Sequence, residues 1–136
     1  MATFKFELVS PEKLLLSREV EMAVLPAAEG EMGVLPGHAP MIVALGGGVI
    51  AVTENGQVTE RLFVGGGFAE VTPERCTVLA DEATPVAQVS RATAESRIRE
   101  AEEAFAVAAT ESPEKRDAAL ARLLSARAML QVAQAA

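Results

Sequence analysis

The sequence predicts a β-rich N-terminal domain, an antiparallel β-sandwich or flattened barrel, followed by an α-helical antiparallel hairpin. Three observations carry this. All ten glycines of the 136-residue chain lie before residue 68, whereas 16 of the last 50 residues are alanine. Glycine weakens helices and alanine favours them, so turn-rich strands give way to helix near Thr84-Pro85-Val86. Short segments of the first half alternate apolar and polar residues, the period of strands with one buried face. The predicted units are a sandwich over 1–86 and a helix-turn-helix over 87–136.

The strands follow in order. Phe4, Phe6 and Leu8 face one way, with Lys5 and Glu7 the other. Val20, Met22 and Val24 read as the next inward set, against Glu19 and Glu21. Asn55-Gly56 separates two apolar-rich runs and tolerates positive φ at both central turn positions, which signals a hairpin. Cys76, Val78 and Ala80 alternate with Thr77, Leu79 and Asp81 in what reads as the last strand. Such one-faced strands must bury their apolar sides against another layer.

Ser90 supplies a cap for a helix running to about Ala109, and Thr110-Glu111-Ser112 turns the chain. Ser112-Pro113-Glu114 then opens the second helix, with a capping hydroxyl, proline at the first helical position and an acid in the first turn. Ala94, Ile98, Ala101, Phe105 and Ala108 form one seam; Ala119, Leu123, Ala126, Leu130 and Ala133 form the other. Small residues alternate with large in both, so antiparallel pairing brings the axes close. An alanine-rich pair buries little by itself, which predicts that it leans on the sandwich or on another protein.

Composition excludes several functions. The net charge is −7, all of it within 1–86, and no Lys/Arg-rich run supplies a nucleic-acid footprint. One cysteine allows neither an internal disulfide nor a Cys-based zinc site. Met32–Thr53 carries no Asp, Glu, Lys or Arg, but Pro36, Pro40 and Gly46-Gly47-Gly48 break it far short of a membrane span. The N-terminal residues show neither an apolar signal core nor Arg/Ser-rich transit character.

The residues that invite chemistry fall short of it. His38, the only histidine, sits in Pro36-Gly37-His38-Ala39-Pro40 without a nucleophile or an orienting acid nearby in sequence. Its flanks describe a rigid loop that presents a surface. Cys76 reads as a buried, inert thiol. Gly46–Gly48 and Gly65–Gly67 lack the Gly-Lys-Ser/Thr and the following helix of a phosphate loop, and point to turns, bulges or close backbone approach. Glu29-Gly30-Glu31 is too sparse for a calcium loop and suits docking on a polar or basic surface. No catalytic constellation emerges; the pattern is that of an interaction module.

These residues carry a resemblance. Pro36-Gly37-His38-Ala39-Pro40, Glu29-Gly30-Glu31-Met32-Gly33, Val64-Gly65-Gly66-Gly67-Phe68, Glu70-Val71, Thr77 to Asp81, Phe6 to Glu12 and Arg99 to Glu103 together resemble the epsilon subunits of bacterial F-type ATP synthases. Chloroplast epsilon and mitochondrial delta subunits share that family. The resemblance implies a non-catalytic central-stalk role, with the sandwich on the gamma subunit and the c-subunit ring. It implies no cofactor, and peripheral placement on the cytoplasmic face of a bacterial inner membrane through the complex. The interface residues it implies are Glu29, Gly30, Glu31 and Met32, with His38, Ala39 and Pro40 close by. Some members extend the hairpin along gamma, against the alpha/beta catalytic head, and inhibit hydrolysis, and some bind ATP with the hairpin folded down. The nucleotide motif of those members, roughly Ile/Leu-Asp-x-x-Arg/Lys-Ala, here reads Val89-Ser90-Arg91-Ala92-Thr93-Ala94. Its acid and its cation are both missing. Arg91, Arg122 and Arg127 are the remaining basic candidates for a nucleotide-sensing alternative, and weak or absent ATP binding is expected.

Overall fold

The computed structural model describes residues 2–135. Ten strands precede two helices: β1 Phe4–Val9, β2 Leu14–Val20, β3 Met22–Ala27, β4 Gly30–Val34, β5 Met41–Leu45, β6 Gly48–Glu54, β7 Gln57–Val64, β8 Gly67–Val71, β9 Arg75–Ala80 and β10 Ala83–Pro85, then α1 Arg91–Ala108 and α2 Pro113–Ala135. The ladder runs β10-β7-β6-β3-β5-β8-β9-β1-β2, with β4 on β3. The sheet curls around one core of Phe4, Phe6, Leu8, Leu25, Ile50, Val52, Val71 and Val78, each with almost no exposure, together with smaller neighbours. Every pairing is antiparallel except β1 with β9, which is parallel.

Two expectations are corrected. The inward set does not run Val20, Met22, Val24. Val20 is buried, but in β3 it is Ala23 and Leu25, with Pro26 beside them, that are buried, while Met22 and Val24 are only half-buried. The chain breaks pairing at Glu21, whose N–H donates to the Thr53 carbonyl at 2.8 Å, and one residue spent at that corner inverts the phase. The strand from Arg75 is not the last, because Ala83–Pro85 pairs with Leu62–Val64 of β7. Asn55 and Gly56 hold φ of 53° and 76°, the paired positive values of a tight hairpin turn between β6 and β7.

Charged side chains cross the seam between the β2 edge and the β6–β7 hairpin. Arg18 reaches Glu54 at 3.2 Å and Glu60 at 3.0 Å, and Thr59 Oγ1 donates to Glu54. The Thr59 hydrogen bond, with smaller help from the hydrogen bond and then the charge of Arg18, holds the Glu54 carboxyl below its ordinary range against an opposing desolvation. A depressed carboxylate stabilises the fold above its unfolded pKa, and that contribution is lost as pH falls through the folded value. Arg18→Ala should therefore lower stability by about 0.2–1 kcal/mol near neutral pH, as exposed pairs do. The gap between variant and wild-type melting curves should close on acidification below roughly pH 4. A gap unchanged by acid would show that the guanidinium acts through packing instead.

The helices start where their caps predict. Ser90 Oγ accepts from the Thr93 N–H at 3.1 Å, and Ser112 Oγ accepts from the Lys115 N–H at 3.2 Å. Ala94 and Ala101 of α1, with Ala119, Leu123 and Ala126 of α2, are buried along the pairing seam. Met129 and Ala94 pack with Phe63 of β7, which joins the hairpin to the sandwich. Phe63 and Val64 are consecutive yet both buried, because β7 is covered on both faces at that end.

Candidate functional site

The outer face of β5-β8-β9-β1-β2 carries a row set by register alone. Ala44 opposes Phe68, Phe68 opposes Leu79, Leu79 opposes Val9, and Val9 opposes Leu14. Phe68 is 58% exposed, Leu79 54% and Leu14 55%; Ile42, two residues from Ala44, is 74% exposed. Their neighbours Val43, Ala69, Val78, Ala80 and Leu8 turn inward to the core. Large apolar residues aligned across strands and left in water mark a surface for another protein. Sequence reasoning placed Leu79 on the outward side of its strand but did not assemble the row. Apolar residues on both sides of β9, at Val78 and Leu79, were the available signal.

The predicted interface residues divide between two anchors. Gly30 and Glu31 pair with Ala27 and Pro26 in the β3–β4 hairpin, with Glu29 exposed at its turn and Met32 half-buried against the core. The Ala28 N–H donates to the Ala44 carbonyl at 2.9 Å, tying that hairpin to β5. His38, Ala39 and Pro40 follow a bend in which the Gly37 N–H donates to the Pro73 carbonyl at 2.9 Å. His38 is half-buried, and its Nδ1 lies 2.8 Å from the Ala39 carbonyl oxygen. No hydrogen bond or ion pair joins Glu31 to His38 among the described residues.

A groove of about 790 Å³ opens where the hairpin meets the sandwich. Gly46 and Gly47 of the first glycine triplet and all of Gly65–Gly67 line it. They serve close approach: a Cβ on Gly47 would stand 2.8 Å from Ser125 Cα, and one on Gly65 would stand 3.1 Å from Ser125 Oγ. Arg97 donates to Glu82 through both terminal guanidinium nitrogens, Nη1 to Oε1 and Nη2 to Oε2 at 3.1 Å, linking α1 to the turn after β9. The Glu82 hydrogen bond raises the Arg97 pKa further. Asp81, Glu100 and Arg122 complete the charged lining.

The three basic nucleotide candidates do not converge. Arg122 lines the groove, Arg91 is engaged with Glu95 one turn along at 3.7 Å, and Arg127 faces Glu102 at 3.8 Å. Ser90 and Thr93, which stand where the motif has its acid and cation, form the helix cap. Burial pushes the Cys76 thiol up to about 12, which keeps it protonated and unreactive. No cluster of three or more metal-ligating side chains occurs among the described residues, and no helix is long and apolar enough to cross a membrane.

Comparisons agree on one family. The model described as "ATP synthase, Delta/Epsilon chain, beta-sandwich domain" matches residues 3–86. A relative from Granulibacter bethesdensis named ATP synthase epsilon chain is 59% identical over 134 residues, covering 98% of this chain and 99% of the relative. An epsilon chain of Rhodospirillum rubrum is 47% identical over 90% of this chain and 91% of its own. Among solved structures, a chain of the Euglena gracilis mitochondrial ATP synthase assembly of OSCP, F1 and c-ring aligns with a TM-score of 0.73 and 23% identity, over 95% of this chain and 80% of that one. A chain of the Tetrahymena thermophila central stalk and c-ring aligns at 0.67 and 12%, over 97% of each. Those two likenesses concern the fold. The sandwich match and the near full-length identity to epsilon chains show that this chain belongs to the ATP synthase delta/epsilon chain family.

Proposed function

We propose that the chain is a non-catalytic rotor subunit of a proton-translocating F-type ATP synthase, seated on the gamma subunit and the c-ring, and that it helps couple proton flow to ATP synthesis. The observation that carries this is the row of exposed Phe68, Leu79 and Leu14, joined through half-buried Val9, with exposed Ile42 beside it. It is the gamma-facing surface. Each large side chain that becomes fully covered there contributes about 1.5–3 kcal/mol, and a standard interface buries on the order of 1,200–2,000 Å². The hairpin of Glu29, Gly30, Glu31 and Met32 and the loop of His38, Ala39 and Pro40 face the ring. This seat lies on the cytoplasmic face of a bacterial inner membrane, held there through the complex.

The sandwich suits torque transmission because nine of its ten described strands form one continuous ladder, with β4 paired to β3. Force applied to the outer row passes into paired backbone. The test is a titration of full-length chain onto gamma-containing F1 depleted of it. Binding tighter than about 1 µM, near −8 kcal/mol, is expected; no retention at tenfold higher concentration would overturn the assignment.

The hairpin is the regulatory part of the reading, with the alpha/beta head as its extended partner. The nucleotide-sensing alternative has less support. Arg97 is already neutralised by Glu82, leaving Asp81 and Glu100 against Arg122 in the groove. A triphosphate there meets more acid than free base. Calorimetric titration of the chain with MgATP should show no binding in the micromolar range, and a micromolar Kd would reverse this view.

A further inference from the structure

We propose that α2, in its retracted position, forms part of the gamma-docking surface, with Leu124 and Leu120 continuing the apolar row of the sandwich. The inference rests on the docking reading above. Leu124 is 54% exposed and Leu120 is 38% exposed, one helical turn apart on the same face. Neither belongs to a seam already accounted for. Ala119, Leu123 and Ala126 face α1, and Met129 faces Phe63. The other long side chains that α2 exposes are polar, Lys115, Arg122, Arg127 and Gln131 among them. Two leucines set among them stand exposed in the isolated fold.

Their position relative to the row is fixed. Ser125 is wedged against Gly47 and Gly65, which leaves the helix almost no freedom to slide at the residue next to Leu124. Phe68 and Leu124 then form walls of the same groove. A surface that covers Phe68 and enters this groove also meets Leu124, so the occupant is the protein docked on Phe68 and Leu79. The groove rim adds a chemical requirement. With Arg97 engaged by Glu82, Asp81 and Glu100 outnumber Arg122, so the partner presents an apolar ridge flanked by a cation.

Linkage follows. The contact through Leu124 and Leu120 exists only in the retracted form, so by reciprocity that contact favours the retracted hairpin.

The experiment titrates full-length variants onto gamma-containing F1 depleted of the chain. Leu124→Glu should weaken binding about tenfold or more. Val107→Glu, at an equally exposed site on α1 outside the groove, should stay within about twofold. Phe68→Glu reports on the docking reading itself. Circular dichroism melts check that each exposed-site variant folds. Hydrogen exchange in α2 should also slow when the wild-type chain binds. Weakening by Phe68→Glu with wild-type affinity for Leu124→Glu overturns the inference alone. Wild-type affinity for both overturns the docking reading as well. A free-chain dimer that Leu124→Glu dissociates, with gamma affinity unchanged, would assign the two leucines to a second copy and overturn the inference.

Discussion

Gly67→Ala should be the most damaging single-methyl change in the chain. Gly67 sits at φ 141°, a region that side chains rarely adopt, and a Cβ there would run directly into the Leu79 carbonyl oxygen. That oxygen belongs to the neighbouring strand β9, so relief requires β8 and β9 to separate where Phe68 and Leu79 are held side by side. Backbone strain and a clash with main chain together should cost about 3 kcal/mol or more. In a chain of this size the melting temperature should drop by roughly 10 °C. Gly46→Ala is the internal control: its Cβ would meet only Ala28 Cα at 3.8 Å, an ordinary contact. Equal melting temperatures for the two variants would show that the ladder yields easily at Gly67 and that this strand pair does not anchor the outer face.

Phe68→Glu combined with Leu79→Thr should abolish docking on the stalk while leaving the fold intact. Both side chains point away from the core and are more than half exposed, so the isolated chain should melt within about 1 kcal/mol of wild type. Threonine keeps β9 a good strand and avoids placing two acids opposite one another. The complex loses an aromatic and an aliphatic anchor at the centre of the row and must accept a desolvated carboxylate. Affinity for gamma-containing F1 should fall at least about 100-fold, close to 3 kcal/mol. Unchanged affinity in a folded double variant would move the gamma seat off this face.

Much of this was legible in the sequence because local physics decides it. The alternation of Phe4, Phe6 and Leu8, the Asn55-Gly56 turn, and the Ser90 and Ser112 caps each depend on a few adjacent residues. The glycine triplets were readable as sites of close approach, but not as the bed of Ser125, sixty and more residues away. Long-range pairing leaves no local trace. The parallel ladder of β1 with β9 is of this kind, and with it the row that aligns Val9 with Leu79. The phase inversion at Glu21 was missed because Ala23 and Leu25 are apolar as well as Met22 and Val24, so either register satisfied the pattern. Strand β10 was missed because three residues ending in proline carry no period. The Arg97–Glu82 latch joins the two compositional halves, and charge counting within each half could not foresee it.

The measurement that bears most directly on the central claim is gradient-driven ATP synthesis by membranes stripped of this subunit. Adding the wild-type chain should restore synthesis, and adding the Phe68→Glu, Leu79→Thr variant at the same concentration should not. Full recovery with the variant, or none with the wild-type chain, would contradict a rotor subunit that grips its shaft through the outer face of the sandwich.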